Sequence, residues 1–412
     1  MKLADMFEQI VGDGSGVRFV AYDGSVSGPA DAEATIDLRS PIGLRYIATS
    51  PGDLGLARAF VTGHLDVEGD LHFALRSLLG GIRQEVGWTD RAELLRALGT
   101  GALRPPPRPA EEAPPPLRRG RRHSKARDAA AIQHHYDVSN RFYSYLLGPT
   151  MAYTCAVYPT PETSLEDAQA EKFDLVCRKL GLRPGMRLLD VGCGWGGMAV
   201  HAAANYGVSV LGVTLARQQA EWGAKAVADA GLEGRAEIRH SDYRDVRETD
   251  FDAISSIGLT EHIGSANLSA YFTFLASRLR SGGRLLNHSI TRPSGLDAVR
   301  AGGFIDRYVF PDGELEGVGV IANEMNNHGF EIRHEENLRE HYALTLRDWS
   351  ANLDAHWDEA VAEVGPGRAR VWRLYLAGSR VGFEKNHVQL HQVLGVKLGP
   401  DAVSGMALRP NW

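Results

Sequence analysis

The hydrophobic pattern is most regular in the second half of the chain, where short apolar runs alternate with longer amphipathic stretches. Such runs are typical of buried parallel strands, and the stretches between them have the period of helices. The pattern therefore predicts an α/β fold with a doubly wound sheet. The predicted strands are 187–191, 208–215, 236–241, 251–257 and 283–290, with a final strand at 388–396. The predicted helices are 164–180, 216–230 and 268–279.

Residues 1–101 have a different pattern, which predicts a small α+β domain. No catalytic constellation stands out in it. Such a domain suits binding, dimerisation or lipid presentation, and a purely structural extension fits nearly as well. The predicted strands are 17–22, 34–38 and 44–49, and the predicted helices are 54–62, 71–79 and 92–98.

A proline-rich tract and a basic run follow at 102–127 and predict a linker. We expect the catalytic domain to occupy 128–412. The basic run fits an anionic membrane surface and equally a solvated tether. Its charged residues are Arg118, Arg119, Arg121, Arg122, Lys125 and Arg127.

Composition narrows the function classes. The chain has 412 residues, 43% of them hydrophobic, and a formal net charge of −6, which argues against general nucleic-acid binding. No apolar run reaches membrane-spanning length, and the N-terminus lacks the pattern of a signal peptide, so we expect a cytoplasmic protein. Cys155, Cys177 and Cys193 have no metal-ligand spacing, so we expect neither disulfides nor a metal.

A glycine-rich turn directly follows the strand 187–191. Asp190 precedes Gly192, Gly194 and Gly196, which let a ligand approach the backbone at the start of a helix. A dinucleotide enzyme would also place an acidic residue at the end of the next strand. That strand ends instead in Thr214. The spacing therefore favours an S-adenosylmethionine site over a nicotinamide site.

Several separated motifs, in one order, resemble those of the cyclopropane fatty acid synthases, which are methyltransferases that act on unsaturated lipid acyl chains. The resemblance extends from Gln133 onward, and the N-terminal domain is similar to the family's variable lipid-associated domain, best at 62–70. It implies a class I methyltransferase (Rossmann-like) sheet with helical lid insertions. The motifs are His134-His135-Tyr136-Asp137, Tyr153-Thr154-Cys155, Gly212-Val213-Thr214-Leu215 with Gln219, Glu261-His262-Ile263-Gly264 and His288-Ser289-Ile290.

The resemblance implies that a bound bicarbonate ion deprotonates the carbocation formed from the lipid double bond. Its implied ligands are Cys155 and Ile290 through backbone groups, and the side chains of Glu261, His288 and Tyr342. Each has an ordinary alternative. Cys155 also fits the role of a small buried hydrophobic residue, His288 that of a structural histidine, and Glu261 that of a helix cap.

The resemblance also assigns the S-adenosylmethionine contacts. One group of residues is assigned to the amino acid end of the cofactor, and a second group is assigned to its nucleoside end. The first group is Tyr136, Tyr153, Thr154, Asp190, Gly192, Cys193 and Gly194. The second group is Thr214, Leu215 and Gln219 at the ribose and Asp242, Tyr243 and Arg244 at the adenine.

The segment 258–264 is most similar to the actinobacterial branch that makes 10-methylene acyl chains, precursors of 10-methyl fatty acids. We expect that product, with cyclopropanation as the alternative. A methyltransferase for a small soluble metabolite and a noncatalytic lipid-binding protein are further alternatives. The implied partners are a phospholipid membrane surface at the inner face, a second copy of the chain and a reductase for the methylene product.

Aromatic and apolar residues at 294–312 fit the lining of an acyl channel or lid, and ordinary core packing fits them at least as well.

Overall fold

The computed structural model describes residues 2–11, 15–50, 52–81, 104–113, 139–293, 302–310 and 313–412. The chain divides into two compact units, each built from three segments. Unit 1 comprises 1–117, 301–311 and 353–381, and unit 2 comprises 118–300, 312–352 and 382–412. The predicted helix at 92–98 and the basic run at 118–127 lie outside the described residues.

Unit 1 contains a four-stranded sheet in the order β2-β1-β3-β4. Strands β1 and β3 are parallel, the other pairs are antiparallel, and alternate residues of β1 and β3 are buried. The strands are β1 (Val17–Ala21), β2 (Val26–Ser27), β3 (Ala34–Leu38) and β4 (Leu65–Gly69). The helices of this region are α1 (Leu3–Val11), α2 (Pro41–Thr49), α3 (Asp53–Val61) and α4 (Leu71–Gly81).

The strand predicted at 44–49 is wrong, because these residues belong to helix α2. Ser40 precedes the helix in an extended conformation, and its side chain accepts a hydrogen bond from the backbone of Gly43. Pro41 occupies the first turn, where its missing N–H costs nothing. These helix-start signals outweigh the apolar alternation that favoured a strand.

The described part of the predicted linker, 104–113, packs onto unit 1 instead of spanning open solvent. Tyr46 donates a hydrogen bond to the Pro107 carbonyl at 2.6 Å. The Glu112 carboxylate is completely buried between Arg58, at 2.7 Å, and Arg307, at 2.8 Å. The contiguous boundaries predicted at 101 and 128 therefore differ from the observed units, because long-range ion pairs recruit distant segments.

Unit 2 contains a seven-stranded sheet in the order β10-β11-β9-β8-β5-β6-β7. Strands β5 to β9 are mutually parallel, and β11 and β10 add antiparallel strands at one edge. The strands are β5 (Arg187–Val191), β6 (Ser209–Thr214), β7 (Ala236–His240), β8 (Phe251–Ile257), β9 (Leu279–Thr291), β10 (Phe330–Asn337) and β11 (Gln389–Lys397).

Helices cover both faces of this sheet, which confirms the doubly wound α/β prediction. Leu188 packs into one buried cluster with α6 and α7, whereas the next residue, Leu189, packs into another with α9 and α11. The helices here and in the later segments are α5 (Asn140–Leu147), α6 (Leu165–Leu180), α7 (Gly197–Tyr206), α8 (Arg217–Asp229), α9 (Leu268–Arg278), α10 (Gly303–Tyr308), α11 (Val318–Asn327), α12 (Arg339–Ala355), α13 (Trp357–Val364) and α14 (Pro366–Glu384).

No helix within the described ranges is long and apolar enough to span a bilayer.

Candidate active site

A pocket opens at the carboxyl ends of the parallel strands in unit 2, around the glycine turn after β5. Gly192 has a φ of 79°, and a Cβ there would lie 3.3 Å from Leu259. Glycine is therefore required both for the turn and for the close approach of the loop after β8. Most predicted cofactor residues line this pocket: Tyr153, Thr154, Asp190, Gly192, Cys193, Gly194, Thr214, Leu215, Gln219, Tyr243 and Arg244.

Asp242 is not among the residues that line the pocket, although its neighbours Ser241 and Tyr243 are. Its buried carboxylate accepts hydrogen bonds from the Arg244 guanidinium, at 2.6 Å, and from the Arg244 backbone, at 2.9 Å. Asp242 therefore positions Arg244. Tyr136 lies outside the described residues.

Thr214 and Gln219 form one buried pair at the end of β6. The Thr214 hydroxyl donates to Gln219 Oε1 at 2.8 Å. This bond fixes the amide so that its nitrogen remains as the donor for a ligand.

Asp190 is buried at the base of the pocket. Its Oδ1 accepts a hydrogen bond from Ser255 at 2.7 Å, and its Oδ2 has no partner among the described residues. Burial raises the pKa of Asp190 to about 6, although Ser255 and Lys172 oppose the shift. The carboxylate is thus held next to the turn at a site where a cationic amine would satisfy it.

Lys172, which the sequence analysis missed, also lines the pocket. Its Nζ donates to Thr154 Oγ1 at 2.8 Å, and the side chain is essentially inaccessible to solvent. Burial lowers the pKa of Lys172 to about 7, while Cys155 and Asp190 oppose the shift. A signal existed, because Lys172 follows Ala168 and precedes Val176 at helical spacing on the apolar face of α6.

Glu261 and Ile290 meet beside this pocket. The backbone N–H of Ile290 donates to Glu261 Oε1 at 2.7 Å, so this hydrogen already serves the carboxylate. Glu261 Oε2 is buried and has no partner in the described chain. Burial raises the pKa of Glu261 to about 7 despite the bond from Ile290.

His288 lies two residues before Ile290 on β9, where side chains of alternate residues share a face. Its carbonyl accepts a hydrogen bond from Gly258 at 2.8 Å, and Gly258 lines the pocket. Burial, with Lys172 and Lys179 nearby, holds the pKa of His288 well below its ordinary value, so the imidazole is neutral. Its Nε2 has no partner in the part of the chain that the structure describes.

Cys155 is fully buried and protonated. Burial raises the pKa of its thiol, which donates to the Ala156 carbonyl at 3.2 Å. A protonated, inaccessible thiol is unsuited to nucleophilic attack, in line with the sequence analysis. Its neighbour Thr154 reaches the same loop as Glu261, because a Cβ on Gly258 would lie 3.0 Å from Thr154 Cγ2.

Tyr342 is buried on α12, the helix that contacts the Cys155 segment. Thr345, one turn later, accepts a hydrogen bond from the backbone of Ala156 at 3.0 Å. The Tyr342 ring lies 4.4 Å from that of Phe383 and 6.1 Å from that of Trp349, which in turn lies 5.3 Å from Tyr153. A row of aromatic rings therefore connects the pocket with Tyr342.

The predicted acyl lining at 294–312 is only partly described. Phe304 and Tyr308 lie on α10, belong to unit 1 and are buried there. The Tyr308 hydroxyl lies 3.4 Å from Glu112. For these two residues the structure agrees with the alternative of core packing.

No cluster of histidine, cysteine and acidic side chains in the described ranges could hold a metal ion.

Comparisons with known proteins agree on one group of enzymes. The family model for mycolic acid cyclopropane synthetase matches residues 123–393. A probable fatty acid methyltransferase of Mycobacterium tuberculosis is 53% identical over 421 residues, covering 100% of this chain and 98% of that protein. The cyclopropane-fatty-acyl-phospholipid synthase of Escherichia coli is 36% identical over 272 residues, or 66% of this chain and 69% of that protein.

Solved structures give the same result. The cyclopropane synthase MmaA2 from Mycobacterium tuberculosis superposes with a TM-score of 0.62 at 32% identity, covering 67% of this chain and 99% of that one. Mycolic acid cyclopropane synthase CmaA1, complexed with SAH and CTAB, has a TM-score of 0.62 at 33% identity, covering 65% of this chain and 98% of that one.

Proposed function

The chain belongs to the mycolic acid cyclopropane synthetase family, and from this premise we propose that it methylates the cis double bond of an unsaturated phospholipid acyl chain. It is an S-adenosylmethionine-dependent methyltransferase of the fatty acid methyltransferase and cyclopropane synthase type. The observation that carries the proposed chemistry is a pair of buried polar atoms, Glu261 Oε2 and His288 Nε2, for which the described residues offer no partner.

The pocket residues fit S-adenosylmethionine. When bound, the cofactor supplies an electrophilic methyl group. The backbone at Gly192 and Gly194 leaves room for its amino acid end. Asp190 Oδ2, which has no partner within the described ranges, suits its ammonium group. Thr214 and Gln219 hold the ribose in this proposal, with Tyr243 and Arg244 at the adenine. The Tyr153 ring gives the cationic sulfur an electron-rich neighbour.

Bicarbonate fits the site of Glu261 and His288. A bound oxyanion accepts a hydrogen bond from the His288 ring nitrogen when that nitrogen carries a hydrogen. Because the pKa of Glu261 is about 7, its carboxyl group can share a proton with the anion. When bound, bicarbonate would supply a base that takes up the proton without itself being alkylated by the carbocation. The chain's residues exclude water from this point, because His288, Cys155 and Asp190 are all buried.

We propose a 10-methylene acyl chain as the product. Bound S-adenosylmethionine would supply its methyl group to the acyl double bond, with S-adenosylhomocysteine as the leaving group, and a cation would remain on the acyl chain. A hydride shift followed by loss of a proton from the new methyl group gives the methylene, whereas direct proton loss with ring closure gives cyclopropane. The likeness of residues 258–264 to the actinobacterial branch supports the first outcome.

The same proposal includes location and partners. Phospholipid acyl chains lie in the bilayer, so we expect the enzyme to act peripherally at the inner membrane face, from the cytoplasm. The aromatic row from Tyr153 to Phe383 would contact the acyl chain. A homodimer and a reductase that saturates the methylene are expected partners.

Product analysis tests the proposal. The enzyme is incubated with S-adenosylmethionine and dioleoyl phospholipid vesicles, and the acyl chains are analysed by mass spectrometry and NMR. A mass increase of one CH₂ group per modified acyl chain, together with exocyclic methylene protons, is expected. Cyclopropane protons in place of methylene protons would show the alternative product. Methylation of a small metabolite without turnover of lipid would overturn the lipid proposal.

A further inference from the structure

A line of polar residues crosses three strands behind His288. In the antiparallel register His288 on β9 faces Gln392 on β11, and Gln392 faces Glu336 on β10. Lys179, from α6, contacts both Gln392 and Glu336. His288, Gln392 and Lys179 are almost completely buried, so water does not compete for their hydrogen bonds.

The hydrogen-bond donors and acceptors along this line of residues can be assigned, starting from Lys179. Lys179 has only hydrogens to donate, and its Nζ lies 2.7 Å from Gln392 Oε1 and is also bonded to the Glu336 carboxylate. The amide oxygen of Gln392 therefore faces Lys179, and its Nε2–H₂ faces His288 Nδ1 at 3.2 Å. Nδ1 must accept, so the hydrogen of the neutral imidazole lies on Nε2.

We infer that Lys179 and Gln392 are positioning residues that lock His288 in the Nε2–H form, so that it donates a hydrogen bond into the active site. The inference rests on the proposed function, because it specifies what His288 does for an oxyanion there. His288 then orients a bound oxyanion and does not itself remove the proton from the lipid. The buried Nε2, for which the described residues provide no partner, is the atom that this lock presents to the site.

The tautomer can be measured without turnover. In protein labelled with ¹⁵N-histidine and free of ligands, the His288 signals are identified by their loss in His288→Asn. We expect Nδ1 to resonate at the unprotonated position and Nε2 at the protonated position. The reverse assignment would overturn the lock, whether or not the enzyme proves active on lipids.

Gln392→Glu tests the functional consequence. Its carboxylate still pairs with Lys179 but accepts from Nδ1, so the hydrogen moves there and Nε2 becomes an acceptor. We expect kcat to fall about 10- to 100-fold, with the KM for S-adenosylmethionine nearly unchanged. Gln389→Glu makes the same change on the same strand, where Gln389 contacts Asn386 at the exposed end, and should keep wild-type turnover.

The NMR spectrum and the turnover measurement distinguish failure of this inference from failure of the proposed function. A variant with the hydrogen moved to Nδ1 and normal turnover of lipid would overturn the role of the lock while leaving the proposed function intact. A wild-type enzyme that methylates no unsaturated lipid would overturn the proposed function, and the wild-type spectrum would still decide whether Lys179 and Gln392 fix the tautomer.

Discussion

At the residue scale, burial determines the charge of the active site more than any single ion pair. Asp190 and Glu261 have raised pKa values and Lys172 has a lowered one, and in each case burial is the main cause. The pKa values of Glu261 and Lys172 therefore lie near 7, whereas Asp190, with a pKa of about 6, remains mainly ionised at pH 7. A site of this kind favours reactions in which a cation develops without water at hand.

Replacing Glu261 separates chemistry from cofactor binding. Glu261→Gln keeps the size of the side chain and can still accept from Ile290, but it cannot share a proton with a bound anion. We expect turnover to fall by about 100-fold or more, with the Kd for S-adenosylmethionine within about threefold of wild type. Product formation and calorimetric titration measure the two effects. A variant that loses cofactor affinity instead would reassign this carboxylate to the binding site.

Lys172 makes stability depend on pH. Its pKa is about 7 in the folded chain, below its ordinary value of 10.5, so the unfolded chain binds more protons between these values. This contribution to the free energy of unfolding therefore rises with pH above 7. We expect the rise between pH 7 and 9, measured by urea unfolding, to be smaller in Lys172→Met.

The control for this measurement is Lys225→Met. Lys225 is exposed and pairs with Asp229 on the surface of α8. Its replacement should leave the pH dependence unchanged. An equal effect of both replacements would show that the slope does not come from the buried amine.

Most pocket residues were predictable from the sequence, because their motifs follow strand ends that meet at one edge of the sheet. Lys172, Lys179 and Gln392 were not predicted. The roles of Lys179 and Gln392 arise from contacts between α6, β9 and β11, and that of Lys172 from its contact with Thr154, which no local spacing reveals. A charged residue on an apolar helix face is the one local signal they leave.

At the element scale, the parallel strands were predicted to within a few residues, and β10 was missed altogether. Strands β5, β6 and β8 are almost wholly buried, so their sequences are mainly runs of apolar residues. Strand β10 lies at the sheet edge and exposes much of its length, so Phe330–Asn337 contains alternating charged residues instead.

The buried side chain of Thr345 links helix α12 to the Cys155 segment. Thr345 accepts from the backbone of Ala156, and Thr345→Val removes that acceptor without changing the shape. We expect a loss of about 1 to 3 kcal/mol in the free energy of unfolding, measured by urea titration. Thr345→Ser retains the oxygen and should lose less. Equal losses would attribute the effect to packing.

At the scale of the whole molecule, each of the two units is built from segments that lie far apart in the sequence. Residues 353–381 belong to unit 1, where Arg370 donates to the carbonyls of Phe60 and Leu65 and pairs with Asp66 at 2.7 Å. The hydrophobic pattern of α14 is that of any amphipathic helix. It carries no information on which core the helix joins.

Glu112 joins two segments of unit 1, and its loss should destabilise that unit strongly. Although burial raises it, the hydrogen bonds and charges of Arg58 and Arg307 hold the pKa of Glu112 below its ordinary value. The stabilisation is therefore present above about pH 4.5 and is lost as the pH falls through the folded pKa.

Glu112→Gln removes the counter-charge of three guanidinium groups, those of Arg58, Arg108 and Arg307. We expect a loss of about 3 to 5 kcal/mol, with little dependence on salt because the Glu112 carboxylate is buried. Scanning calorimetry at two salt concentrations measures both. The exposed Glu33→Gln serves as the control, and a matching loss there would contradict the assignment to the buried cluster.

The three-segment construction of unit 1 has a consequence for biosynthesis. A ribosome delivers residues 1–117 long before 353–381, whose Leu374 and Ala377 pack in the core around β1 and β3. The N-terminal module therefore cannot reach its final fold while the chain is still short, and the usual order, in which the first domain folds first, does not hold. Until the last quarter of the polypeptide emerges, its apolar surface must be shielded by other means, and expressing 1–117 alone would leave that surface permanently uncovered.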